Sequence, residues 1–448
     1  MDLDIVLVVV GLLGVIVATV SARMRSLPVS EPLLGMIAGI LLGPQFIGVL
    51  AIPTLVAEQS LLHEASRLLL AISVMAVALR YPLGDVRRHG RVILMLLLIV
   101  LPMMAVVSAG LGWALLGMSL AAAALFGAAI SPTDPVLASS VVTGADAERD
   151  LPARDRQLLS IESGSNDGLA LPLVLVAVAV AGPLSAGDAL MESLWQVFGG
   201  VALGMGVGWL GGHALRLGAR HGATDRAPAL FFTVVLALGI LGAAGMLSVD
   251  GVLAVFVGGL AFNLVGTGGE RASEVSIDEA INRFAVLPLF VLFGATLPWP
   301  HWRELGWQGV ALVLAVLALR RVPIVLLMKW PMQLRTPDAL YLGWFGPVGV
   351  SALFYLTMEA ERLGVNEDVL AAGSLVVACS TVAFGVTGVL GRVLYRRTAA
   401  GSAPGGRSAA HMDGHPLRHH DRYCDGQGDT QREDVGAEFH HHERDENE

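Results

Sequence analysis

Runs of about twenty apolar residues follow one another along most of the chain, parted by short polar segments. Such a run crosses roughly 30 Å of hydrocarbon as a helix. The pattern predicts an all-α polytopic membrane protein with about thirteen transmembrane helices. They fall near 3–22, 33–52, 61–80, 92–117, 119–142, 157–181, 190–216, 228–247, 249–266, 280–297, 305–328, 339–359 and 368–395. The stretch 92–142 is nearly continuous and divides only at Gly117-Met118-Ser119. Asp2 and Asp4 stand where a signal peptide would carry basic residues, so the first run reads as a span.

Charge sharpens the layout. Taken alternately, one set of loops holds 19 basic residues, from Arg23 to Arg397. The other set holds Arg303 and Arg362, with Arg67 just inside a span. By the positive-inside rule this puts the N-terminus outside and the C-terminus in the cytoplasm, the protein lying in the cell (inner) membrane. Composition agrees: 54% of residues are hydrophobic and 15% charged, against about 25% charged in soluble chains. The net charge of −9 arises largely after residue 398. That segment, 398–448, has no apolar period, holds seven of the twelve histidines, and reads as a disordered His-rich cytoplasmic tail. No basic patch suggests nucleic acid as a partner. Cys379 and Cys424 make neither a disulfide framework nor a zinc site.

Polar residues inside spans cost at least about 2.5–3.5 kcal/mol each when charged, so those that persist are functional candidates. Three groups stand out. In the fifth span, Ser131-Pro132-Thr133-Asp134-Pro135 carries two prolines, which break a helix. Broken backbone at that depth lines a cavity or is buried in protein. Its carbonyls and the Thr133 hydroxyl are oxygen ligands suited to hard cations, and Asp134 is placed to cap the following half-helix. In the sixth span, Glu162-Ser163-Gly164-Ser165-Asn166-Asp167 puts Ser163 and Asp167 on one helical face, with Glu162 and Asn166 on the adjacent one. In the eleventh, Arg320-Arg321 needs a carboxylate partner, for which Glu162 is the natural candidate. Gly200, Gly204, Gly208 and Gly212 form a stripe that permits close helix packing.

Thr133-Asp134-Pro135, Glu162-Ser163 and Asn166-Asp167, in consecutive spans, resemble the monovalent cation:proton antiporter family in its sodium/proton branch. Gly343-Trp344-Phe345-Gly346-Pro347-Val348-Gly349 is similar to that family's Trp-Gly-x-x-Gly segment, with Val348 where many members carry a basic residue. The resemblance covers about 1–395. It implies inverted repeats, spans 1–6 resembling 8–13, with spans 5 and 12 broken and crossing at mid-membrane. It implies a transmembrane antiporter domain over 1–397. A core bundle (about 92–181 and 305–395) would move against a dimerisation bundle (about 1–90 and 190–297), and the protein would be a homodimer. Asp167 would bind either cation or proton, with Thr133 and Ser163 helping to coordinate the cation as metal ligands. Glu162 would pair with an arginine of span 11, best matched by Arg321. Asn166 stands where an electrogenic branch has a second aspartate, implying electroneutral exchange of one Na+ for one H+.

Potassium/proton exchange on the same scaffold is the alternative, and an ion channel fits two broken helices less well. No metal-ligand cluster or nucleophile–base pair suggests an enzyme, and no cofactor is expected beyond the transported ions.

Overall fold

The computed structural model describes residues 8–9, 11–12, 14–15, 19, 30–81, 83–142, 145–182, 184–221, 226–265 and 285–401. The first expected span falls mostly outside these residues, and so does the tail from 402 onward. In chain order the helices are α1 (Glu31–Leu42), α2 (Ser60–Arg80), α3 (Leu83–Arg88), α4 (Gly90–Leu116), α5 (Leu120–Ala129) and α6 (Pro135–Val142). There follow α7 (Ala145–Asp150), α8 (Ala153–Leu169), α9 (Leu171–Ala181), α10 (Ala186–Arg220), α11 (Arg226–Leu247) and α12 (Gly251–Val265). The last are α13 (Ala285–Ala295), α14 (Trp299–Leu319), α15 (Val322–Met328), α16 (Thr336–Trp344), α17 (Val350–Leu363) and α18 (Glu367–Gly401). Among the described residues, six helices are long and apolar enough to cross a membrane, α8–α9 and α14–α15 each counted as one; five apolar helices are shorter.

The distribution of polarity is that of a lipid-facing protein. Large apolar side chains such as Val106 (70% exposed) and Phe198 (68%) point outward. Inside lie Asp134, Glu162, Asp167, Arg320 and Arg321, all at most 3% exposed. Lipid solvates the outer apolar surface, while charges must find partners within the bundle.

Local sequence explains the breaks. Gly117 takes a left-handed conformation (φ 65°) that ends α4, and the Ser119 hydroxyl accepts from the Ala122 N–H at 3.2 Å to open α5. The chain is non-helical from Ile130 to Asp134 and again from Phe345 to Gly349. The run 305–328, expected as one helix, is interrupted at Arg320-Arg321. Pro323 has no N–H for the Leu319 carbonyl, so the regular ladder cannot pass this point. Pro172 acts likewise one turn after Gly168, where α8 gives way to α9.

The glycine stripe lies on α10 against α12. A Cβ on Gly204 would stand 2.1 Å from the Ala254 carbonyl oxygen, and one on Gly208 2.1 Å from that of Gly258. Backbone meets backbone there, which only glycine allows. Gly208→Leu is therefore expected to lower the melting temperature and the yield of monodisperse protein in detergent. Gly206→Leu, whose Cβ meets nothing within 4 Å, should not. Equal melting of the two variants would refute this account of the stripe.

At one end of the bundle Tyr395 ties three elements together. Its hydroxyl contacts Asp338 at 2.8 Å and Asp155 at 3.1 Å, and Arg335 grips Asp338 through two bonds of 2.8 and 2.9 Å. Arg396 reaches Asp150 at 3.1 Å. The end of α18 is thus pinned to the starts of α8 and α16 and to the end of α7.

Candidate functional site

The two helix breaks meet. The Asp134 N–H donates to the Pro347 carbonyl at 2.9 Å, joining one break to the other. Each break leaves two half-helix ends facing inward, carbonyls from α5 and α16 and N–H groups from α6 and α17. Such ends carry partial charges of about half an electron each. Two side chains of opposite sign answer them. Asp134 Oδ1 accepts from the N–H groups of Val136 (2.6 Å) and Leu137 (3.3 Å), and its Oδ2 accepts from the Val350 N–H. A single carboxylate therefore caps both α6 and α17. Gly349 has to be glycine, since a Cβ would lie 2.1 Å from Asp134 Oδ2.

Arg320 does the converse. Its Nη1 donates to the carbonyls of Ile130 (2.5 Å), Ser131 (3.1 Å) and Pro132 (3.4 Å), and Nη2 to that of Gly346 (2.5 Å). One guanidinium closes the carbonyl ends of α5 and α16.

Its neighbour Arg321 forms a two-pronged pair with Glu162, Nη1 to Oε1 at 2.6 Å and Nη2 to Oε2 at 2.7 Å. Its Nε donates to the Leu342 carbonyl at 2.9 Å. Parallel bonds of this kind are the strongest form of charge-assisted hydrogen bond. The choice that the sequence leaves between the two arginines thus falls on Arg321. Neither one snorkels to a surface.

Asn166, on the helical face adjacent to that of Ser163, turns to Thr133: its Nδ2 donates to Oγ1 at 2.7 Å and its Oδ1 accepts from the Thr133 N–H at 3.3 Å. The Thr133 and Ser163 hydroxyls are hydrogen-bonded at 3.1 Å. Positions three apart are neighbours on a helix just as those four apart are, and here Ser163 and Asn166 act together. Between them they fix Thr133 in the break.

Asp167 is the odd member. It is fully buried, and neither carboxylate oxygen accepts a hydrogen bond from a protein group. The carboxylates of Asp134 and Asp250 and the Ser351 hydroxyl face it. The Tyr355 hydroxyl donates to the Asp167 backbone carbonyl, holding α8 to α17. A Cβ on Gly168 would lie 2.6 Å from Leu253 Cβ, so α12 also presses directly on this turn. Asp134, Glu162, Arg320 and Arg321, by contrast, are each hydrogen-bonded within the crossing. Asp167 keeps its full ligand capacity.

With this geometry in view, the match to known proteins is decisive. Residues 11–393 match the family described as the sodium/hydrogen exchanger, transmembrane. The chain belongs to the sodium/hydrogen exchanger family. These exchangers are transporters, not enzymes. The Na(+)/H(+) antiporter 2 of Zygosaccharomyces rouxii is 33% identical over 369 residues, covering 79% of this chain and 46% of that protein. A probable Na(+)/H(+) antiporter of Schizosaccharomyces pombe is 32% identical over 345 residues, covering 74% and 45%. The chain therefore spans somewhat less than half the length of these relatives. In fold it is similar to the sodium proton antiporter MjNhaP1 from Methanocaldococcus jannaschii, with a TM-score of 0.72 at 18% identity, covering 91% of this chain and 100% of that one.

In this exchanger family member Val348 is wholly buried, and its N–H donates to the Ser380 hydroxyl at 2.9 Å. The positive charge that meets the carbonyl ends at the crossing is that of Arg320. Asp250, Ser351 and Tyr355 were not evident as site residues from sequence. Asp250 sits in the turn before α12, where hydropathy reads an ordinary loop; its Oδ1 caps the Leu253 N–H at 2.9 Å while Oδ2 has no protein partner.

Proposed function

We propose that the protein exchanges a monovalent cation, Na+ in the first instance, for H+ by letting the two compete for Asp167. The observation that carries this reading is the solitary state of the Asp167 carboxylate beside two helix breaks. Burial disfavours a charged carboxylate, and either a proton or a cation relieves the cost. Thr133 and Ser163, held in place by Asn166, supply neutral oxygens for the cation. Occupancy by one ligand excludes the other.

If the domain bearing Asp167 moves only when that charge is neutralised, competition becomes exchange under alternating access. An empty, ionised carboxylate would have to cross an apolar barrier, which is costly. Because Asn166 is neutral and bound to Thr133, a single carboxylate carries the coupling, giving one cation for one proton. The reading extends to thirteen spans in two inverted repeats, an antiporter domain over 1–397 with core and dimerisation bundles, a homodimer, and an outside N-terminus with a cytoplasmic C-terminus. The loop-charge asymmetry and the crossed breaks support it.

The test is proton movement in proteoliposomes loaded with a pH-sensitive dye, challenged in turn with Na+, Li+, K+ and Rb+. Sodium is expected to give the lowest half-saturating concentration. A response to potassium and rubidium alone would replace sodium by potassium as the cargo. Conductance without cation-dependent proton movement would sink exchange altogether.

A further inference from the structure

A cavity of about 580 Å³ opens on the face formed by the turns at Ser119, Gly182 and Asn366. Leu356, Glu359 and Ala122 contribute to its lining. Glu359 is 3% exposed, and neither of its carboxylate oxygens accepts a hydrogen bond from a protein group. A buried carboxylate without a partner is expensive, and this one anchors nothing. Arg362, which also lines the cavity, is engaged with Glu192 at 2.8 Å.

Glu359 is also not isolated in direction. It lies on α17, where Ser351, Tyr355 and Glu359 recur every four residues along one face. Ser351 faces Asp167 and Tyr355 is bonded to its backbone. The polar stripe thus runs about 12 Å, eight residues of helix, from the Asp167 carboxylate to the cavity. Its two ends are the carboxylates without protein partners, and the Ser351 hydroxyl between them is equally unpartnered.

We propose that Glu359 is a second carboxylate site, loaded with a monovalent cation or a proton from the cavity and passing it along α17 to Asp167. One carboxylate with neutral oxygens nearby, from Ser119 and Asn366, balances a single positive charge. A divalent ion would leave uncompensated charge in an apolar setting. The inference rests on the exchange reading and its orientation, since this face has the arginine-poor turns and so lies outside.

The experiment uses the full chain and two readouts. In oriented proteoliposomes, Glu359→Gln is expected to raise the apparent KM for Na+ severalfold on the cavity side and leave the opposite side unchanged, with Glu359→Asp partly restoring it. Independently of transport, dicyclohexylcarbodiimide should label Glu359 in detergent, as read by mass spectrometry. Na+ should protect it, and protection should survive in Asp167→Asn. Labelling indifferent to Na+, Li+ and K+, together with an unchanged KM on both sides, overturns the site while leaving exchange intact. Na+ protection of Glu359 in a protein that exchanges nothing upholds the site and discards the exchange reading.

Discussion

Replacing Asp167 by Asn is expected to reduce cation-dependent proton movement in proteoliposomes to that of protein-free vesicles, while the protein folds as before. Asparagine nearly matches the shape but holds neither a proton nor a cation by charge. The fold has no reason to suffer, because neither Asp167 oxygen bonds to a protein group. Its melting temperature in detergent should equal or exceed that of the parent, since a buried charge without a partner opposes folding. Loss of transport with retained melting separates a transport residue from a structural one. Retained cation-dependent proton movement would end the role proposed for Asp167.

Arg321→Ala has the opposite profile. Glu162 and Arg321 are 1% and 2% exposed at their side chains, and each is the other's charge partner. Removing the arginine strands a carboxylate in the bundle, at a cost of about 3–5 kcal/mol. It also frees the Leu342 carbonyl at the base of the second break. The expected result is a large fall in thermal stability. The double variant Glu162→Leu/Arg321→Met should recover part of it, because no charge is then left alone. Unchanged stability of Arg321→Ala would show that the pair contributes nothing to the fold.

Much of this architecture was legible in the chain, for reasons that differ by element. Spans are visible because a bilayer imposes a length on every apolar run. The breaks are visible because Pro132, Pro135 and Pro347 cannot complete a helical ladder. Glu162 and an arginine could be paired by necessity alone, since neither survives in lipid without the other. What stayed hidden depends on direction rather than type. Asn166 is sixty degrees from Ser163 on one side and adjacent to Glu162 on the other; only the position of Thr133 decides between them. Arg320 bonds carbonyls, which every residue has, so its targets leave no mark in the sequence. The interruption at Arg320-Arg321 was masked by a continuous apolar pattern despite Pro323. Asp250 looked like turn punctuation because hydropathy does not report how deeply a turn is packed.

The paired capping by Asp134 and Arg320 also bears on how the protein would respond to voltage. One fixed negative and one fixed positive side chain discharge four helix ends, and both are locked by hydrogen bonds to backbone. The Glu162–Arg321 pair is neutral in the same sense. If these groups travel together, their displacement moves no net charge through the field of the membrane. On the proposed exchange, the electrical character of the transport cycle would fall to Asp167 and its occupant, and that complex would be neutral with either sodium or a proton bound. The crossing would then be an electrically silent frame, leaving the chemical gradients to drive the exchange.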